Sequence, residues 1–218
     1  MKNFRRFKTQ NRDIRHRSGE NYIGSVAFKD QRIPYESSLE RDFVYLALSH
    51  STVCKVISQS NRIDYVFEGK VREYTSDFCL VTETGEMYLF EVKPETKYLA
   101  NQQRFKVIQE VFLRKEYVFA VVTDSQIRQG RQVRNAEEVL DARRRYEDDL
   151  EPSIITETQK WLLEKPGFLV EEHQHKFGLE SYLESIAYLH KSHAELIKIP
   201  YLGSKAKMHP SRGEWKWN

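Results

Sequence analysis

Two rhythms of hydrophobic and polar positions run along this chain. From near Ser37 to about Ser49, Leu39, Phe43, Leu46 and Ala47 recur at helical spacing. Three strand-like stretches follow, Val53–Ser58, Arg62–Phe67 and Val71–Thr82, with Glu68-Gly69 as the turn between the second and third. Glu83-Thr84-Gly85 then turns the chain into Met87–Lys93. Asn101–Lys115 reads as an amphipathic helix through Phe105, Ile108, Val111 and Phe112. Tyr117–Val122 is nearly all apolar, as expected of a strand covered on both faces. Past Gly130 a further helix is predicted over Gln132–Tyr146. Helix, strands, helix, strand, helix is the order of an α/β domain with a mixed sheet.

Beyond the acidic stretch Glu147–Pro152, helices are expected near Ile154–Glu164, Val170–Phe177 and Leu179–His190, and a strand at Leu196–Tyr201. Three short helices with a β extension suggest a small winged-helix-like module over 152–218. The remaining divisions are a basic arm, 1–32, and the α/β domain, 33–149.

Composition narrows the class. Of 218 residues, 39% are hydrophobic and 31% charged, but 12% are aromatic, enough apolar area for a core and too much for a disordered chain. No apolar run approaches the roughly 20 residues of a membrane span, and no apolar stretch follows the basic start as a secretory signal would. Cys54 and Cys79 lie in apolar strand-like runs and read as buried thiols of a reducing compartment. The expectation is a soluble intracellular protein. The net charge of +3 conceals an arm at +6, with Lys2, Arg5, Arg6, Lys8, Arg12, Arg15 and Arg17 in its first 17 residues. Such an arm suits either a phosphate-backbone clamp or a solvated tail.

The chemistry gathers on the hairpin. A three-residue turn with Gly85 left-handed pairs Val81 with Met87, Cys79 with Leu89, Leu80 with Tyr88 and Phe78 with Phe90. A slip by one residue would break both apolar faces. In that register Asp77 faces Glu91, with Lys93 beyond. Adjacent carboxylates require a proton or cation between them, and a hard divalent ion fits oxygen ligands and water. An ordinary charge cluster neutralised by Lys93 satisfies the same residues. Glu40 also reads two ways. Ser37-x-x-Glu40 has capping-box spacing, but Glu40 shares the face of Phe43, Val44 and Ala47. His173-x-His175 and His190-x-x-His193 lack the companion ligands that zinc requires.

Glu40 on a leading helix, Asp77 near a strand end and Glu91-Val92-Lys93 on its hairpin partner match the core pattern of PD-(D/E)xK nucleases. The segments Tyr35–Phe43, Tyr74–Phe78, Phe90–Glu95, Val121–Asp124 through Asn135, and Gly24–Arg32 resemble TnsA, the endonuclease of heteromeric bacterial transposons. The resemblance covers about 15–145 and implies a restriction-endonuclease-like mixed sheet flanked by helices. It implies that Glu40, Asp77, Glu91 and Lys93 are catalytic, and that Asp77, Glu91, the Val92 carbonyl and Glu40 hold one or two Mg²⁺, with Mn²⁺ able to substitute. Lys93 would orient or deprotonate the attacking water. Arg5, Arg6, Lys8, Arg12, Arg15 and Arg17 would contact DNA. The implied activity is cleavage of double-stranded DNA at the 5′ ends of a transposon in the bacterial cytoplasm, leaving 5′-phosphate and 3′-hydroxyl ends. The implied partners are a DDE transposase and an AAA+ regulator ATPase, with no membrane. Ser76 departs from a common proline, and Glu91 occupies a position that can be glutamine. A stand-alone junction-resolving or restriction-type nuclease and a catalytically silent DNA-binding scaffold are the alternatives.

Overall fold

The computed structural model describes residues 23–146, 148, 156–164, 167–191 and 214–216. The arm before residue 23, most of the acidic stretch and the strand expected at Leu196–Tyr201 lie outside the described residues.

The chain enters through an antiparallel hairpin, β1 (Gly24–Phe28) and β2 (Gln31–Tyr35). Val26, Phe28, Ile33 and Tyr35 are buried, so part of the segment assigned to the arm belongs to the core. Helix α1 (Ser38–Ser49) follows and lays Phe43, Val44 and Ala47, none of them exposed, against the main sheet.

That sheet has four strands in the order β3 (Val53–Ser58), β6 (Phe78–Thr82), β7 (Met87–Lys93), β8 (Val118–Thr123). The first two junctions are antiparallel and β7–β8 is parallel, the mixed sheet expected. Between β3 and β6, β4 (Arg62–Phe67) and β5 (Lys70–Thr75) form a separate hairpin. Its turn puts Glu68 at φ 52° and Gly69 at φ 71°, the left-handed pair that a two-residue hairpin favours.

Each face of the sheet is covered. Phe78 and Phe90 meet Phe43 of α1, and with Leu80 and Val92 they share one apolar cluster with Val139 and Leu140 of a later helix. Cys79, Val81, Leu89 and Phe119 meet Phe105, Ile108 and Phe112 of α3 (Gln102–Arg114). Helix α2 (Glu95–Ala100) precedes α3 directly after Pro94. α4 (Asp124–Ile127) caps the end of β8, and α5 (Gln132–Tyr146) has the bounds the periodicity predicts.

The predicted strand Val71–Thr82 is two strands, broken at Ser76-Asp77. The Ser76 N–H donates to the Asn61 carbonyl (3.0 Å) and the Gln59 N–H to the Asp77 carbonyl (2.8 Å), so the interruption is hydrogen-bonded to the end of the β3–β4 connection. All four expected rungs are formed, from Val81↔Met87 to Phe78↔Phe90, and Gly85 is left-handed at φ 82°. The ladder stops there, so Asp77 and Glu91 are not a backbone pair. Cys54 is exposed, a correction to the buried thiol expected; Cys79 is buried.

Past α5 lie α6 (Glu157–Leu163), β9 (Gly167–Leu169), α7 (Val170–Phe177) and α8 (Leu179–Lys191), the three expected helices with a strand among them. β10 (Glu214–Lys216) pairs antiparallel with β9, so the Trp215 segment returns to the domain. Leu162, Phe168, Tyr182, Ile186 and Ala187 belong to the same apolar cluster as α1 and α5, and the Tyr182 hydroxyl donates to Glu138 of α5 (2.8 Å). His173 is buried among Trp161, Phe168, Phe177 and Tyr182, with its Nε2 2.9 Å from Ser185 Oγ: a core histidine. Two arginines of the run Arg143-Arg144-Arg145 tie the end of α5 to the rest of the domain. The Arg143 guanidinium sits 4.6 Å from the Phe28 ring centroid and donates to the Leu48 carbonyl, and Arg144 donates to the Ala27 carbonyl (2.9 Å).

Candidate active site

The break after β5 and the end of β7 bring the charged residues together. Asp77, with no rung to occupy, turns its carboxylate back on β7. Its Oδ2 accepts the Val92 N–H (2.9 Å) and lies 3.3 Å from Lys93 Nζ. Lys93 Nζ is also 2.8 Å from Glu91 Oε1. The ammonium therefore bridges the two carboxylates, though they are not a rung of the ladder.

Glu40 approaches from the N-terminus of α1, and both readings of it hold at once. The Ser37 hydroxyl accepts the Glu40 N–H (3.1 Å), while the Glu40 carboxylate accepts from Ser37 Oγ (3.1 Å) and the Glu36 N–H (2.7 Å). That is a reciprocal cap with the return bond made one residue upstream of the N-cap. The carboxylate is also buried and lies in the field of Asp77 and Lys93. Burial, then repulsion from Asp77, raises its pKa to about 7 against the pull of its hydrogen bonds and of Lys93.

Glu91 is 4% exposed, and its pKa is raised by burial and by Asp77, with Lys93 and a tyrosine hydroxyl opposing. Burial alone would depress Lys93, but Asp77 and Glu91 outweigh it and hold the ammonium protonated. Three carboxylates thus share one lysine in a poorly solvated corner, an arrangement short of positive charge.

Sequence reasoning missed the tyrosine. Tyr74 donates its hydroxyl to Glu91 Oε2 from within the aromatic cluster of Tyr65, Phe112 and Phe119. In an unbroken strand Tyr74 would share the face of Phe78 and Leu80. The break reverses the alternation and puts it on the face of Cys79 and Leu89, where Glu91 lies.

The corner forms where β7 and β8 end side by side, Lys93 opposite Thr123. The Glu95 N–H donates to Asp124 (2.8 Å), and Thr123 with Gln126 closes a capping box on α4, fixing the chain beyond both strands. Ligands outside the carboxyl ends of parallel strands are the general habit of α/β sheets. Among the described residues no group of three or more His, Cys, Asp and Glu side chains is arranged to hold a metal ion. The acids at this corner offer hard oxygen atoms, a donor class that suits a partly hydrated Mg²⁺ better than zinc.

A mixed sheet with helices on both faces, and with acidic residues and a lysine at its strand ends, fits a nuclease-like fold. Residues 50–124 match the model of the family described as TnsA-like endonuclease N terminal. That stretch is thus similar to the endonuclease domain of TnsA-type proteins, as the motifs imply. The match contains Asp77, Glu91, Val92 and Lys93, and Glu40 lies ahead of it. No curated protein matches the chain. Among the described residues no helix is long and apolar enough to cross a membrane.

Proposed function

We propose that this chain is a divalent-metal-dependent DNA endonuclease that cuts the 5′ ends of a transposon while a DDE transposase cuts the 3′ ends. The observation that carries the reading is Lys93 bridging Asp77 and Glu91 beside a buried Glu40, within a TnsA-like endonuclease domain. The residues suit the ion: Asp77, Glu91 and the Val92 carbonyl would hold Mg²⁺ or Mn²⁺, with Glu40 reaching it directly or through water. When bound, the ion supplies charge stabilisation to the phosphoryl oxygens and lowers the pKa of a bound water.

The chain's own residues divide the remaining work. Asp77, anchored by the Val92 N–H, is a pre-oriented carboxylate. Lys93 is held protonated, which favours its offsetting charge or donating to the scissile phosphate over its acting as a base. Glu40, with a pKa near 7, is the better proton acceptor for the attacking water. The products would be a 5′-phosphate and a 3′-hydroxyl.

The C-terminal helices with the β9–β10 ribbon are read as a winged-helix-like module, and protein docking is its main task. Helix α8 carries Glu180 and Glu184 and, before its last residue Lys191, no Lys or Arg, a poor composition for reading DNA. An AAA+ regulator is the expected occupant, and the basic arm carrying Arg5, Arg6, Lys8, Arg12, Arg15 and Arg17 is the expected clamp on the DNA backbone. The bacterial cytoplasm is the expected setting.

The test is cleavage of a supercoiled plasmid carrying transposon ends, with Mg²⁺ or EDTA, with and without the DDE transposase, mapping the 5′ break. Mg²⁺-dependent breaks at the element's 5′ ends that require the transposase support the reading. Cutting elsewhere without a partner indicates a stand-alone nuclease, and no cutting with an active transposase indicates a silent scaffold.

A further inference from the structure

An arginine-lined groove adjoins the carboxylate corner and is absent from the account so far. It encloses about 530 Å³ and is lined by Asp42, Arg128, Arg131, Val133, Arg134 and Glu137, together with Gly130. Its position follows from the fold: β8 ends at Thr123, opposite Lys93, and α4 carries the chain directly to Arg128. Arg128 donates through Nη2 to Ser38 Oγ (3.1 Å), two residues from Glu40 on α1. The groove and the carboxylates therefore share the N-terminus of α1 and the end of the parallel strands.

Asp42 explains why the arginines are held there. Its side chain is 5% exposed, with Oδ1 2.8 Å from Arg41 Nη2 and Oδ2 2.8 Å from Arg128 Nε. A buried carboxylate divided between two guanidinium groups fixes each in place, while 47% of the Arg128 side chain stays open to solvent. Arg131 is exposed and makes no ion pair among the described residues, and Arg134 reaches only Glu138, at 3.9 Å, with 71% of its side chain exposed. Gly130, at φ 55°, turns the chain between α4 and α5 so that the three arginines lie within one turn and the start of a helix. Acids do face the groove: Asp42 is engaged by Arg41 and Arg128, and Glu137 stands on α5. The fork of an arginine held in one orientation suits a phosphodiester oxygen pair better than a mobile lysine would.

We infer that Arg128, Arg131 and Arg134 form a phosphodiester-binding rim that seats the DNA backbone beside the carboxylate corner, with Asp42 holding Arg128 in register. The inference rests on the nuclease reading for its ligand, double-stranded DNA. It adds a second anchor to the one proposed for the basic arm. The rim contributes binding, and the carboxylates contribute chemistry.

The experiment measures anisotropy of a short fluorescein-labelled DNA duplex with the full chain, in EDTA, across a salt series. The variants are Arg131→Gln/Arg134→Gln, which leaves the Asp42 pairs intact, and Arg128→Gln. The control is Arg114→Gln/Lys115→Gln, at the far end of β8, which removes the same formal charge. The double rim variant is expected to weaken binding roughly tenfold or more at low salt and to reduce the slope of log K against log salt by about 2. The control is expected to match wild type in both. Equal losses in rim and control variants, an unchanged rim variant, or a wild-type chain that does not bind the duplex would each overturn the inference. Because EDTA excludes cleavage, the result stands apart from the catalytic assignment. If Asp77 variants still cut DNA, the site reading fails while the rim keeps its binding phenotype.

Discussion

The Asp77 carboxylate accepts the Val92 N–H at 2.9 Å, satisfying with a side chain a donor just beyond the last rung between β6 and β7. One interruption in a strand thereby fixes an acid against the backbone between Glu91 and Lys93. Neither residue of that bond can move without disturbing the other, which is how the fold pre-orients a charge at its sheet's end.

The pH behaviour of Glu40 follows from its environment. Its pKa is raised from 4.5 to about 7, so the folded chain holds a proton that the unfolded chain releases. Stability from this group is fully present below about 4.5 and is lost as pH rises through about 7, on the order of 3 kcal/mol in all. His50, lowered to about 4 by burial, acts in the opposite sense, costing stability as pH falls below about 6.5. Comparing Glu40→Gln with wild type isolates the carboxylate: in EDTA, urea titrations should show wild type losing stability relative to the variant between about pH 4.5 and 7. Parallel profiles would contradict this.

Tyr74→Phe keeps the ring in its aromatic cluster and removes only the hydroxyl that Glu91 accepts. Loss of one buried bond to a carboxylate is expected to cost about 1–3 kcal/mol by denaturant unfolding. Cleavage should slow as Glu91 loses its orientation. A variant as stable and as active as wild type would mean that the hydroxyl does nothing for Glu91.

Much of this was legible in the chain. The register from Val81↔Met87 to Phe78↔Phe90 follows from two apolar faces and the Gly85 turn, because period-two alternation admits one solution. Glu91 and Lys93 follow with it, since they lie on the unbroken strand. The interruption at Ser76-Asp77 was not legible. The periodicity of Val71–Thr82 does not mark a break, and the bonds that hold it, Ser76 N–H to the Asn61 carbonyl and Gln59 N–H to the Asp77 carbonyl, join residues well apart in the chain. Tyr74 was missed for the same reason, since alternation carried through the break assigns it to the other face. β1 and β2 escaped because five-residue strands in a basic context have weak periodicity, and their burial depends on α1 and α5. The Asp42–Arg128 pair joins residues that no local pattern relates.

Three carboxylates against one ammonium should make the folded chain a better host for a cation than its unfolded form. Mg²⁺ or Mn²⁺ is therefore expected to raise the melting temperature by mass action, more at pH 8 than near pH 5, where Glu40 holds a proton. Asp77→Asn should abolish the metal-induced shift. An equal shift in that variant would remove Asp77 from the ligand set.

The most direct measurement is single-turnover cleavage of 5′-end-labelled transposon-end DNA in Mg²⁺ with the DDE transposase present, comparing wild type with Asp77→Asn and Lys93→Met. Both changes keep side-chain bulk, and circular dichroism and binding to the transposase should confirm that fold and partner docking survive. Losses of roughly 100-fold or more in the 5′ cut, with the 3′ cut unaffected, are expected from removing a ligand or the bridging ammonium. A 5′ cut at the wild-type rate in either variant would contradict the account.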